Sequence, residues 1–283
     1  MASRKQHIPE HLWCNIFILL PVKCLLLLRC VCKRWNQIIS DHSFIESHLV
    51  HNKTASNTNK YLLLWNRRDP WPPLAYDLPY LTTLVDSKTY SQVLELHAHD
   101  MYSMFGEDSA EHGLEIYGIC DGLVCLSLEV LKADSPIVLW NPVVRKGKKL
   151  PPIETGKHPY FDTCYLCFGY DDGDYKVISV VPYLQTLCHV HVYSLSTDQW
   201  KKSRIGNNNI GSPFYRRYRD MPFPARLVNG CAYFLEYPKT FGNDQVVAVI
   251  DLSHEIIRQI DVPHINDDHL FVFVKLGEHE NRS

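Results

Sequence analysis

Three dipeptides constrain this chain more than any other feature: Asp121-Gly122, Asp172-Gly173 and Asn229-Gly230, spaced 51 and 57 residues apart. Each suits a two-residue hairpin turn, in which both central residues need φ > 0. A second element returns at nearly the same interval. "IVLWNPVVRK", "VHVYSLSTDQWKK" and "VAVIDLSHEIIRQ" each read as a strand, a polar turn and a return strand. In these, Trp140, Tyr193 and Ile250 are equivalent, at spacings of 53 and 57. Each unit therefore predicts two hairpins, or four strands. That strand count and period are those of a propeller blade near the kelch length. An ordinary β-sandwich has no need for the register to recur.

Strand-like runs begin at residue 61 with "YLLLW" and continue through "YKVISVV", "CAYFLEY", "VVAVIDL" and "LFVFVKL". Roughly four blade-length units fit into 61–283, the lower limit for a closed propeller. The chain ends shortly afterwards in "LGEHENRS". This reading predicts a C-terminally truncated β-region with an open sheet edge.

Before residue 61 the pattern is helical. Ile8, Leu12, Ile16 and Leu20 recur every four residues. Pro9 suits the first helical position, and Pro21 ends that helix and starts another through the leucines. "VCKRWNQIISD" predicts a third, with Val31, Trp35, Ile38 and Ile39 on one side. Between Ile8 and Ile39, 21 of 32 residues are apolar, more than one inward stripe per helix can bury. Domains near 40 residues rarely stand alone, so a second protein or the rest of the chain must cover the surplus. "HNKTASNTNK", 51–60, is polar and aperiodic and reads as part of a linker over 49–60. The fold class expected is α+β: a three-helix module at 1–48, then an all-β, propeller-like domain at 61–283.

The helical segment resembles the F-box of plant F-box proteins. The residues that carry the resemblance are Ile8-Pro9, Leu12, Ile16, Leu20-Pro21, Val22-Lys23, Leu25, Arg29, "CVCKRW" at 30–35, Ile39 and Phe44. The β-region resembles the F-box-associated, kelch-like domain of the same proteins, the S-locus F-box-like group among them. There the matching segments are "GICDGLVCLS", "LWNPVVRKGKKLPP", "FGYDDGDYKV", "VYSLSTDQW", "VNGCAYF" and "VIDLSHEIIRQIDVP", in family order over about 118–263. The resemblance implies docking to a Skp-type adaptor within a cullin–RING ubiquitin ligase. The adaptor contacts and their support would come from Ile8, Pro9, Leu12, Ile16, Leu20, Pro21, Leu25, Val31, Cys32, Lys33 and Trp35.

Little else suggests chemistry. The charge is nearly balanced, 29 basic against 31 acidic residues, which argues against nucleic acid or an anionic membrane as partner. The longest uncharged apolar run, His11–Val22, is too short to span a bilayer. Arg4 and Lys5 precede it as in a signal peptide, but Glu10, His11 and Asn15 interrupt the stretch and no small-residue cleavage site follows. Ten cysteines lie mostly in apolar runs of a long chain, which predicts reduced, buried thiols in the cytoplasm or nucleus. Cys164 and Cys167, three apart in a strand, point to opposite faces and so form no metal or redox pair. His189 and His191 share a face but lack a third ligand. Asp171, Asp172 and Asp174 crowd one turn without the late Glu of a calcium loop.

No catalytic constellation, metal site or cofactor motif is expected. "FYRRYRD" interleaves aromatics with guanidinium groups, so Phe214, Tyr215, Arg216, Arg217 and Arg219 are the candidate target surface. The expected function is substrate recognition for a Skp–cullin–F-box ligase. Two alternatives stand beside it: a shortened receptor that holds no target, and a kelch-like propeller enzyme.

Overall fold

The computed structural model describes residues 9–54, 61–65, 81–86, 92–97, 103–105, 114–128, 131–132, 134–154, 164–183, 187–206, 225–236 and 246–261. The chain divides into two compact units, Met1–Ala98 and His99–Ser283.

The first unit opens with α1 (Glu10–Phe17), α2 (Val22–Leu28), α3 (Lys33–Ser40) and α4 (His42–Thr54). Prolines set the first two starts. Pro9 and Pro21 occupy the N-cap positions with extended backbone. Their carbonyls accept the first helical bonds, from Leu12 and Leu25, at 3.1 Å. Both prolines thus stand one residue before the helix. Cys32 caps α3, its Sγ accepting from the Trp35 N–H at 3.5 Å. Val31 precedes that helix and is exposed, so it does not belong to the inner face expected for it.

The fourth helix corrects the three-helix expectation, and it runs through 51–54, where coil was expected. Asp41 starts it by accepting from the Ser43 N–H at 2.9 Å and from the Ser43 hydroxyl. Buried Phe44 and His48 hold it down. The His48 ring bonds the Leu20 carbonyl at 2.9 Å, 28 residues away. A tertiary anchor of that kind leaves no periodic apolar signal in "HNKT".

Phe17, Leu25, Ile38, Ile39 and Phe44 form the helical core. Trp13, Phe17 and Trp35 pack ring to ring above it, with centroids 4.8–5.6 Å apart. The same unit holds β1 (Tyr61–Trp65), β2 (Leu81–Asp86) and β3 (Gln92–His97), an antiparallel sheet in the order β1-β2-β3.

Among the described residues, the second unit contains three four-stranded antiparallel meanders. They are β4–β7 (Leu114–Cys120, Leu123–Leu128, Val138–Asn141, Lys146–Lys149), β8–β11 (Tyr165–Asp171, Asp174–Tyr183, Leu187–Ser194, Gln199–Gly206) and β12–β15 (Arg226–Val228, Cys231–Glu236, Val246–Asp251, Ile256–Asp261). The sequence repeat is a structural one. The first hairpin of each sheet closes with two residues, at φ 48° and 80°, 49° and 76°, and 49° and 72° for the three dipeptides. The third turn of each sheet has four residues, between the pairs Asn141/Lys146, Ser194/Gln199 and Asp251/Ile256. Its last residue is left-handed each time: Arg145, Asp198 and Glu255, at φ 52–55°. The side chain that opens the turn holds it. Asn141 Oδ1 accepts from Val143 and Val144, and Asp251 Oδ1 from Ser253 and His254. The run "LFVFVKL" lies outside the described residues.

Neighbouring sheets face each other across two apolar cores. One core joins the first and second sheets around Tyr117, Leu139, Leu166, Val177 and Tyr193. The other joins the second and third around Cys167, Ile178, Val190, Phe234 and Ile250. The leading strands β4, β8 and β12 come too close for side chains at two points. A Cβ on Gly118 would lie 2.9 Å from Phe168 Cβ, and one on Gly169 would lie 2.8 Å from Leu227 Cβ. Polar ties lock the sheets together: Trp200 Nε1 donates to the Pro151 carbonyl at 2.8 Å, Tyr175 Oη to Asp121 at 3.0 Å, and the Gly230 N–H to Asp171 at 2.8 Å.

Candidate functional site: an uncovered apolar face on the helices

Outside the helical core, further apolar side chains stand in the open. Leu12 and Ile16, one turn apart on α1, are exposed. Leu19 is 69% exposed, Leu27 on α2 73% and Val31 62%. Val22, Ile45 and Val50 are exposed as well. Single exposed leucines are ordinary, but this many apolar side chains in the open between residues 12 and 50 call for an explanation.

The residues expected at the adaptor contact divide into three groups. Pro9, Leu12, Ile16, Pro21, Val31, Cys32 and Lys33 are exposed. Leu20 and Trp35 are half-buried against the helical core. Leu25, at 5% exposure, lies within that core, a supporting position and not a surface one. Ile8 lies outside the described residues. Leu19 and Leu27 were missed as individual positions. The signal for them was the uninterrupted leucine run, which has more apolar side chains than one helix face can use.

Residues 6–47 match the F-box domain, and residues 81–279 match the F-box associated beta propeller domain. The chain belongs to the F-box-associated β-propeller family. It is similar to the putative F-box protein At3g16210 of Arabidopsis thaliana, at 26% identity over 92% of this chain and 61% of the relative. Similarity to the F-box/kelch-repeat protein At3g23880 of the same plant is 25%, over 70% of this chain and 51% of that one. F-box protein CPR1, also of Arabidopsis thaliana, is 26% identical over 75% of this chain and 48% of its own length. The chain thus spans about half to three fifths of the length of these relatives.

The apolar face is therefore on the F-box, and the three meanders are blades of the associated propeller domain. Phe214, Tyr215, Arg216, Arg217 and Arg219, expected to meet a target, lie outside the described residues. Cys164 and Cys167 are buried in different cores on opposite faces of their sheet, as their spacing predicts. His189 and His191 share a face and are both packed inside. Asp174, at the crowded turn, does structural work. Burial opposes its ionisation, but bonds from Ser194, Ser196 and the Tyr175 N–H hold its carboxyl below the usual range.

All ten cysteines are free, but they are not generally buried. Only Cys125, Cys164, Cys167 and Cys188 are buried, while Cys24, Cys30 and Cys32 of the F-box are exposed. Those three sit in an apolar run that faces outward, which hydropathy alone reads as interior. Among the described residues no group of three His, Cys, Asp or Glu side chains is placed to hold a metal ion. Among the same residues no helix is long and apolar enough to cross a membrane.

Proposed function

We propose that this chain is a substrate-recognition subunit of a Skp–cullin–F-box ubiquitin ligase. In this reading the F-box docks a Skp-type adaptor, and the propeller domain holds a target protein. The observation that carries it is the set of exposed apolar side chains Leu12, Ile16, Leu19, Leu27 and Val31, standing outside the helical core. A partner helix pair laid on that face would remove it from water at about 25 cal/mol per Å². The chain itself does no chemistry in this reading. Tethering a target beside a ubiquitin-loaded enzyme raises the local concentration of its lysines, and that proximity supplies the rate. The cytoplasm or nucleus is the compartment that suits ten free thiols.

Co-expression with a Skp-type adaptor tests this directly. A soluble one-to-one complex is expected, along with a target protein recovered by the full chain and by residues 61–283, of which only the full chain supports ubiquitin transfer. A full chain that stays soluble and monomeric beside the adaptor would overturn the reading. Recovery of adaptor without any target would point to the shortened, non-productive receptor.

A further inference from the structure

One buried polar row lacks partners. On the face of β8–β11 that packs against β4–β7, the strand register sets Ser179, His191 and Lys202 side by side on β9, β10 and β11. Ser179 is 0% exposed and His191 2%. Neither the Ser179 hydroxyl nor either ring nitrogen of His191 has a hydrogen-bond partner. Buried polar groups are nearly always paired, so three unpaired atoms on adjoining residues call for an explanation. In the next row His189 stands beside Arg204. The two histidine rings are 6.4 Å apart between centroids.

The strands that carry the row contribute positive charge to it, while carboxylates enter the same interface from Glu115 on β4 and from Asp198, which Tyr193 and Lys148 hold. Lys202 and Arg204 are exposed on β11, the edge strand of the sheet. Among the described residues of β9, β10 and β11, none with a carboxylate points to this face. The opposing sheet offers an apolar roof from Tyr117, Cys125 and Leu139. A cation is disfavoured beside Lys202 and Arg204. A hydroxyl, an imidazole N–H, an ammonium and a guanidinium converging from separate strands suit a tetrahedral acceptor better than a planar carboxylate.

We propose that the Ser179–His191–Lys202 row, with Arg204 beside it, is a binding site for an oxyanion of the phosphate class. Cross-strand neighbours stand about 5 Å apart, so one phosphate group would reach the Ser179 hydroxyl and the His191 ring together once the side chains that cover both atoms move apart. Entry would be from the exposed edge strand β11, past Lys202 and Arg204. Inside, His191 takes up a proton and donates from a ring nitrogen to the anion. Burial, followed by the charges of Lys202 and His189, otherwise holds that ring neutral down to about pH 4. Free phosphate and a phosphoryl group carried on a larger molecule share this chemistry. The proposal is independent of the adaptor reading.

The test is titration of the full chain at pH 7 with inorganic phosphate and, separately, with O-phosphoserine. Calorimetry measures binding, and the His191 ring nitrogen resonances report protonation. Saturable binding that moves His191 toward imidazolium is expected. It should weaken at least about tenfold in Ser179→Ala and in Lys202→Gln, with thermal melting as the check that both variants fold. A response to O-phosphoserine alone assigns the site to a carried phosphoryl group, and a response to both assigns it to the free anion as well. The proposal is overturned if His191 does not respond, if sodium chloride produces the same response, or if the folded variants bind as wild type does.

Discussion

Leu27→Ala and Leu25→Ala, two residues apart on α2, separate the surface of the F-box from its core. Leu27 is 73% exposed and Leu25 5%. Full burial of a leucine side chain is worth about 1.5–3 kcal/mol. Roughly three quarters of that is still available at Leu27 for a partner to collect, or about 1–2 kcal/mol. Leu27→Ala should therefore weaken adaptor binding about 5–30-fold and leave the thermal midpoint unchanged. At Leu25 the partner can gain almost nothing, and truncation removes a buried side chain at about 2–5 kcal/mol. A helical unit of this size has little stability in reserve, so Leu25→Ala should melt the F-box and lose the adaptor through unfolding. Calorimetry against purified adaptor, paired with helical circular dichroism, measures both. Unchanged affinity in Leu27→Ala would refute the docking surface, and full helicity in Leu25→Ala would refute the division between core and face.

Gly169→Ala should destabilise the propeller domain by about 1–3 kcal/mol, because its Cβ meets Leu227 Cβ at 2.8 Å. Leu227→Ala keeps that Cβ and should not rescue it, and a full rescue in denaturant unfolding would show the contact to be wrongly assigned. Brief thiol labelling of the folded chain should modify Cys24, Cys30 and Cys32 first and spare Cys125 and Cys167, whose thiols burial pushes up; equal labelling of all ten by mass spectrometry would contradict this. His191, whose ring burial holds neutral to about pH 4 against an ordinary 6.5, makes the unfolded chain bind the extra proton. Without phosphate, stability should then fall between those two pH values by up to about 3 kcal/mol. Urea midpoints across that range should fall less in His191→Leu, and parallel slopes would exclude the histidine.

The blade architecture was legible because it is local and repeated. Asp121-Gly122, Asp172-Gly173 and Asn229-Gly230 name their own turn, and the equivalence of Trp140, Tyr193 and Ile250 sets the phase of the third strand. What escaped was not local. Helix α4 is fixed by a His48–Leu20 bond across 28 residues. The unpaired row of Ser179 and His191 appears only once register places three strands together. The F-box thiols were misread because hydropathy counts an exposed apolar segment as interior. Leu25 and Leu27, identical letters in one run, separate only after the helix has a direction.

An up-and-down meander sends its first and third connections to one end of the sheet, and its second connection and its exit to the other. In all three blades the first end is closed by turns of two and four residues with fixed left-handed positions. The opposite end emits connections of unequal length, from 184–186 within one blade to 207–224 between two. An insertion at the first end breaks a register, whereas an insertion at the other leaves the turns and the register intact. Divergence between duplicated copies of such a chain is thereby channelled to a single end, so new recognition can be tried there without renegotiating the scaffold.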